Sequence, residues 1–177
     1  MPGIDERRLE LIDGDVCEKV SPRWGHATLA GELYAILRRY GSAGVEPRAI
    51  IPRGRDLDDS APLPDVAFYR HNPPPPDDWM RTPSDVAIEI ISPGQSRREM
   101  RLKVDVYLSF GVRSVWVFDL ERESVDVYED GARHTLAGAD VLESKAVPEL
   151  RVAVGELFDA VLRPERRPGE ARPGEAD

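Results

Sequence analysis

The hydrophobic and polar positions along the chain alternate in a way that predicts both strands and helices. Segments rich in β-branched and aromatic residues, bounded by proline, glycine or aspartate, are typical of strands. Five such segments are residues 45–52, 63–70, 84–92, 112–120 and 123–129. Shorter strands are expected near 132–136 and 141–142. Near the start, Asp13-Gly14 predicts the turn of a hairpin whose second strand covers 16–20.

Three segments have the spacing of helices. Leucine and isoleucine side chains recur at helical spacing within residues 24–40, and Gly41 follows at a helix stop. Ser96 and Glu99 form a capping box before a second helix that ends at Gly111. Residues 154–162 predict a short third helix. A strand, a helix and a strand in succession imply a parallel crossover, so the fold class is an α/β (α+β) domain with a mixed central sheet flanked by helices.

Length and composition predict one domain. The 177 residues suffice for a single core over residues 1–162, and the charged, repetitive tail 163–177 is expected to be disordered. No apolar run approaches the roughly 20 residues of a membrane span. With a single cysteine, Cys17, the chain is expected in the cytoplasm. The formal net charge of −9 opposes general binding of a polyanion, so any nucleic-acid role requires a local site.

A glutamate stands inside an otherwise apolar strand, where an unpaired charge is costly. Strand alternation places Glu89 on the same face as Ala87 and Ile91. Asp65 enters an earlier strand directly after Pro64. If the two strands are neighbours, the carboxylates converge, and hard oxygen ligands favour Mg²⁺ or Mn²⁺ between them. The alternative is a buried Glu89 that is paired with an arginine or protonated.

A lysine on the second helix brings a third charged group to this region. Met100, Val104, Tyr107 and Leu108 form the apolar arc of that helix, and Lys103 lies at the boundary of the arc. From this position its ammonium can extend along the sheet towards Glu89. Two carboxylates, a divalent cation and a lysine are a constellation suited to phosphodiester hydrolysis. The spacing alone is not specific, because many α/β proteins contain these residue types at such distances.

Four segments occur in an order that is characteristic of one family. They are ELIDG at 10–14, SPRWGH at 21–26, PDVAFY at 64–69, and AIEIISPGQSRREMRLKVDVYLSFGVRSVWVFD at 87–119. In this order they resemble the Uma-type restriction endonuclease family, which belongs to the PD-(D/E)XK nuclease superfamily. The resemblance covers nearly the whole chain up to about residue 161. It implies a restriction-endonuclease-like core.

The resemblance also implies roles for particular residues. Asp65 matches the first metal-binding carboxylate, Glu89 matches the acidic residue of the (D/E)XK element, and the main-chain carbonyl of Ile90 is expected to complete the metal shell. The superfamily usually has lysine two residues after that acid, where this chain has Ile91. The Uma-type pattern places its lysine on the following helix instead, at Lys103.

Further candidates lie in the same motifs. Glu10 and His26 are additional candidates for the site, although each also has an ordinary structural interpretation, as a solvated face residue and a helix-start residue. Arg97, Arg98 and Arg101 are the basic cluster expected to hold a phosphate backbone. The three tryptophans are not interleaved with a basic run, so the sequence does not indicate a stacking platform for single strands.

Two functions remain open from the sequence. The first is a Mg²⁺-dependent endonuclease that hydrolyses DNA, with Asp65, Glu89 and Lys103 as its catalytic set. The second is a catalytically inactive nuclease fold that serves as an interaction or assembly protein, which suits the acidic net charge better. Exposed strand edges are compatible with a homodimer in either case.

Overall fold

The structure is a computed structural model that describes residues 9–19, 21–52 and 59–164. The tail predicted to be disordered lies outside the described residues apart from its first two positions. Within the described part of the chain, no helix has the length and apolar character needed to cross a membrane.

The described residues form ten strands and three helices. In chain order, the strands are β1 (Leu9–Ile12), β2 (Asp15–Glu18), β3 (Ser42–Val45), β4 (Val66–Tyr69), β5 (Val86–Ile90), β6 (Ser114–Asp119), β7 (Ser124–Glu129), β8 (Ala132–Ala137), β9 (Val141–Ser144) and β10 (Val147–Ala153). The helices are α1 (Trp24–Leu37), α2 (Arg97–Phe110) and α3 (Val154–Leu162).

Six strands make one mixed sheet in the order β3-β4-β5-β6-β7-β8. The β5–β6 pair is parallel and is joined through α2, while the other neighbouring pairs are antiparallel. The predicted mixed sheet with a parallel crossover is therefore confirmed. The hairpins β1-β2 and β9-β10 lie outside this sheet. An isolated bridge between Leu11 and Ala61 connects the first hairpin to the segment that leads into β4.

The two faces of the sheet are covered by different helices. Helices α1 and α3 pack on the face that carries Ile88, Ile90 and Trp116. Helix α2 packs on the opposite face, where Ala87 and Val117 lie. This division follows the predicted alternation along β5, and it places Glu89 on the face covered by α2.

Local signals fix both ends of α2. The Ser96 hydroxyl accepts a hydrogen bond from the Glu99 amide at 3.1 Å, and the Glu99 carboxylate accepts one from the Ser96 amide at 2.8 Å. At the other end Gly111 has φ 103°, a left-handed conformation that favours glycine. Both ends of this helix lie where the sequence predicts them.

Some predicted boundaries are wrong. The strand expected at 45–52 is shifted to β3, because Glu46 adopts φ 49° and Pro47 follows it, which ends regular pairing. Helix α1 ends at Leu37, so Gly41 is not its stop. A Cβ at Gly41 would lie 2.5 Å from the Tyr69 carbonyl oxygen, so glycine is needed for close approach to β4.

One prediction about α2 is wrong, and the sequence does not predict β10. Leu108 was placed in the apolar arc of α2 but is 38% exposed, while Val106 is buried. Val106 instead packs in a second cluster with Ile12 and Tyr69, beyond the end of the predicted arc. Strand β10 was not predicted, because Pro148 and the charged Glu149 and Arg151 obscure its period.

Candidate active site

Asp65 and Glu89 lie close together at one end of the β4–β5 pair. The antiparallel register ends with Val66 opposite Ile88, and the Asp65 amide, directly before β4, donates to the Ile88 carbonyl at 2.9 Å. Asp65 Oδ2 accepts a hydrogen bond from the Ile90 amide at 2.6 Å, so Asp65 bonds the main chain on both sides of Glu89. Both are buried, with 1% and 2% of their surface exposed. The convergence predicted from the sequence is therefore a property of the fold.

Lys103 reaches the same volume from α2. Its Nζ lies 2.7 Å from Glu89 Oε2 and 2.9 Å from Glu10 Oε1. Only 4% of the residue is exposed, so it is fully buried and does not occupy the boundary position expected from the helical arc. The two carboxylates provide the charge partners that a buried ammonium requires.

Tyr107 lies one helical turn after Lys103 and contacts the same glutamate. Its hydroxyl donates to Glu89 Oε1 at 2.6 Å, so each oxygen of that carboxylate accepts a hydrogen bond from α2. The sequence predicts the ring of Tyr107 in the apolar arc correctly but does not predict the hydrogen bond of its hydroxyl. A buried tyrosine hydroxyl usually has a polar partner, and this rule could have indicated Tyr107 as a partner of Glu89.

Asp65 has three close partners of its own. Lys19 Nζ lies 2.8 Å from Oδ1, His26 Nε2 lies 3.2 Å from Oδ2, and the Ile90 amide donates to Oδ2 at 2.6 Å. Lys19 follows β2 and His26 belongs to the first turn of α1. The sequence singled out His26 but gave no signal for Lys19, because the exposed strand before it is not recognisable as part of a site.

The segment before β4 holds Glu10 and Lys19 in place. The Leu63 amide donates to Glu10 Oε1 at 2.7 Å, and Lys19 Nζ donates to the Leu63 carbonyl at 2.6 Å. Glu10 is itself 6% exposed, so it is not the solvated surface residue of the ordinary interpretation. The β1-β2 hairpin and the residue that follows it therefore contribute one acidic and one basic side chain to the cluster, Glu10 and Lys19.

The two central carboxyls have opposite electrostatic surroundings. Burial raises the pKa of Glu89 to about 7, although the charge of Lys103 acts in the other direction. Burial would also raise the pKa of Asp65, but the hydrogen bond from His26 and the charge of Lys19 hold it well below its usual value. Asp65 is thus ionised at neutral pH, while Glu89 exchanges its proton near neutrality.

The two hydrogen-bond donors from α2 retain their protons. Burial alone would lower the pKa of Lys103, but the negative charges of Glu89 and Glu10 raise it above its ordinary value. Burial and the neighbouring Glu89 carboxylate raise the pKa of Tyr107 well above its ordinary value. At neutral pH Lys103 is therefore an ammonium that donates hydrogen bonds and does not act as a proton acceptor.

The carboxylates have the donor chemistry of a hard divalent cation. Asp65 Oδ1 has the Lys19 ammonium as its partner, and His26 Nδ1 has no hydrogen-bond partner within the described residues. Among those residues, however, no three acidic, histidine or cysteine side chains form a ready cation cage. A cation at Asp65 and Glu89 would compete with Lys19 and Lys103 for the same oxygens. The oxygen donors are of the type that Mg²⁺ and Mn²⁺ prefer, and a cation there would require the two ammonium groups to move away.

A groove of about 590 Å³ lies next to this cluster, and His26, which contacts Asp65, is among its lining residues. Ile91 and, from α2, Arg97 and Arg101 also line it. Arg98, the third member of the predicted basic cluster, is exposed on α2 but is not among the lining residues. A helix turns about 100° per residue, so positions four apart share the groove side and Arg98 points away from it.

The chain has an α+β fold with a mixed sheet, a crossover helix, and a buried set of acids and lysines at one end of the β4–β5 pair, and this arrangement is that of a nuclease-like class. Residues 2–157 match the model of the Uma2 family, which is described as "Putative restriction endonuclease". The chain therefore belongs to the Uma2 family, and this supports the nuclease-like class. The family resemblance found in the motifs is thereby confirmed.

A solved structure has the same fold. It is described as "a putative nuclease belonging to DUF820 from Anabaena variabilis ATCC 29413". It is 22% identical to this chain with a TM-score of 0.75, and the match covers 88% of this chain and 92% of that one. Likeness at this identity supports the fold. The comparison with curated proteins found no match.

Proposed function

We propose that this protein is a divalent-metal-dependent endonuclease that hydrolyses phosphodiester bonds of DNA. The observation that carries the proposal is the placement of Asp65, bonded to the Ile90 amide, next to Glu89, with Lys103 Nζ 2.7 Å from the glutamate. Glu89 has both an ammonium and a phenol as partners, and it lies beside a second buried carboxylate that has its own lysine.

Asp65 and Glu89 would hold the Mg²⁺ or Mn²⁺, with the main-chain carbonyl of Ile90 as a further ligand. The bound cation would supply Lewis-acid stabilisation of the phosphate and a water of lowered pKa. The Ile90 amide already bonds Asp65 Oδ2, so β5 fixes the orientation of that carboxylate. The ladder between β4 and β5 thus sets the separation of the two acids.

Lys103 donates hydrogen bonds but does not accept a proton. With its pKa raised by Glu89 and Glu10, it stays an ammonium at neutral pH. It can therefore orient a water through a hydrogen bond and offset the negative charge that develops on the phosphate. Glu10 positions this ammonium, and Lys19 and His26 position Asp65.

The DNA contacts must be local because the chain carries a net charge of −9. Arg97 and Arg101 line the groove that leads to the cluster, so they are the proposed phosphate contacts. The predicted homodimer stays a prediction, and the mechanism needs no residue from a second copy.

Cleavage of a negatively supercoiled plasmid tests the proposal, because only an endonuclease opens a circle and negative supercoiling also opens short unpaired stretches in it. With Mg²⁺ or Mn²⁺ the wild type should nick or linearise the circle. Glu89→Gln and Lys103→Met should each lower the rate by about 10²-fold or more, since each removes a group that stabilises the transition state. Glu143→Gln and Lys145→Met are the matched controls, because these residues form exposed ion pairs away from the site.

The alternative, a nuclease fold kept for interaction or assembly, predicts a different pattern. In that case the wild type leaves the circle intact with either metal, while circular dichroism shows that the protein is folded. Cleavage that survives in both site variants would also contradict the proposal, because the activity would then come from elsewhere.

A further inference from the structure

The groove is built between α2 and the part of the sheet that α2 leaves open. Its walls come from the first turns of α2 on one side and from β7 and β8 on the other. The first turn of α1 also lines it, through Gly25 and His26. This channel passes next to the proposed metal ligands through His26, although neither Asp65 nor Glu89 lines it.

Arginine dominates the charged lining of this channel. Five arginines and three carboxylates line it, in a chain whose total charge is −9. Two of the arginines are paired: Arg133 with Asp126 at 2.8 Å, and Arg122 with Asp119 at 3.6 Å. The other three form no ion pair with the residues that the structure describes, and these are Arg23, Arg97 and Arg101. They are free to bind an anion such as phosphate.

Apolar and aromatic side chains also line the groove. Ile91, Leu120 and Tyr128 line the groove and are only half-buried. The guanidinium of Arg133 on β8 lies over the ring of Tyr128 on β7, 5.8 Å from the ring centroid. A surface of this kind offers flat and apolar contact area next to phosphate-binding groups, which suits bases whose faces are accessible.

An exposed tryptophan lies between two residues that line the channel. Trp24 is 85% exposed, and its chain neighbours Arg23 and Gly25 line the groove. It opens α1, two residues before His26, which contacts Asp65. An exposed indole beside an arginine is a stacking position for a base. The structure thus places a tryptophan next to a basic groove, which the sequence had not indicated.

From these features we infer that the substrate is a single strand, or a DNA that is unpaired where it is cut. This inference rests on the proposed function for the chemistry of cutting. Duplex DNA stacks its base faces inside the helix and shows only base edges in its grooves, so it would leave the apolar lining and Trp24 unused. A single strand uses all three features: arginines for phosphates, the lining for base faces, and Trp24 for the base nearest the site.

Binding can be measured without cutting. Fluorescence anisotropy in EDTA compares a labelled single strand of about 12 nucleotides with the duplex of the same sequence, since single-strand sites of this size are common. We expect the single strand to bind about tenfold tighter or more. Equal or tighter binding of the duplex would overturn the inference.

Paired variants locate the binding site. Arg97→Ala with Arg101→Ala should weaken single-strand binding and reduce its salt dependence, whereas Arg98→Ala on the same helix should leave both nearly unchanged. The single strand should quench tryptophan fluorescence. Trp24→Phe should remove that quenching, while Trp79→Phe should keep it, because Trp79 lies away from this groove with Arg81 over its ring. Quenching that depends on Trp79, or binding unaffected by the arginine pair, would contradict the assignment.

This test is separate from the test of cleavage, because it needs neither metal nor turnover. A protein that binds the single strand through Arg97, Arg101 and Trp24 but never cuts would uphold the groove and refute the endonuclease. A protein that cuts the plasmid but binds duplex more tightly would uphold the endonuclease and refute the single-strand inference.

Discussion

At the scale of single residues, the central feature is a glutamate buried in an apolar strand. Its position becomes favourable because Lys103 and Tyr107 donate to its two oxygens, at 2.7 and 2.6 Å. The sequence could predict that Glu89 needed a partner, and Lys103 was within helical reach. It could not identify Glu10 as the second partner of Lys103, because the two are 93 residues apart and only the folded hairpin brings them together.

The raised pKa of Glu89 predicts a pH dependence of stability. The folded protein binds this proton up to about pH 7, while an unfolded glutamate releases it near 4.5. The stabilising contribution is therefore fully present below 4.5 and is lost as the pH rises through about 7. In EDTA, the free energy of unfolding of the wild type should fall relative to that of Glu89→Gln between about pH 5 and 8, by at most about 3 kcal/mol.

Urea unfolding at several pH values measures this difference. The effect of Asp65 is of the opposite kind, because its pKa is held low and its contribution is lost only as the pH falls below its ordinary 3.8. The titration of Asp65 therefore lies outside the pH 5 to 8 range of the comparison. Parallel pH profiles for the two proteins would show that Glu89 is charged throughout this range.

At the scale of elements, α2 is where local sequence signals and the site meet. The capping box at Ser96 and the left-handed Gly111 are local, so the sequence predicted both. The identity of its buried face was only partly predictable. A helical wheel shows which residues share a face of α2 but not which other elements pack against that face. Because the first hairpin and the core cover α2, Lys103 and Val106 are buried while Leu108 is exposed.

Removing the cap tests how far local signals stabilise this helix. Ser96→Ala deletes the acceptor of the Glu99 amide and should cost about 1 kcal/mol of unfolding free energy. Ser109→Ala is the matched control in the same helix. The Ser109 hydroxyl only donates to the Val106 carbonyl, so its loss should change stability by less than about 0.5 kcal/mol. Equal effects of both substitutions, measured by urea unfolding, would contradict this role for the cap.

At the scale of the whole molecule, an acidic chain carries one arginine-lined channel to a buried cluster of acids and lysines. The fold class was predictable, because the periodicity of strands and helices and the order of elements in the crossover can be read from short segments of the sequence. The channel was not, since its five arginines come from four separate segments of the chain, between Arg23 and Arg133. The same limit explains why Lys19 escaped the sequence: it is defined as a site residue only by its 2.8 Å contact with Asp65.

The central claim is that Asp65 and Glu89 together hold a divalent cation, and titration calorimetry with Mn²⁺ tests it most directly. The wild type should bind Mn²⁺ saturably, and Asp65→Asn/Glu89→Gln should lose that binding while staying folded. Asp130→Asn/Glu143→Gln, which changes the same residue types in exposed ion pairs, should bind as the wild type does. No binding to the wild type, or equal binding to the site double variant, would contradict the account.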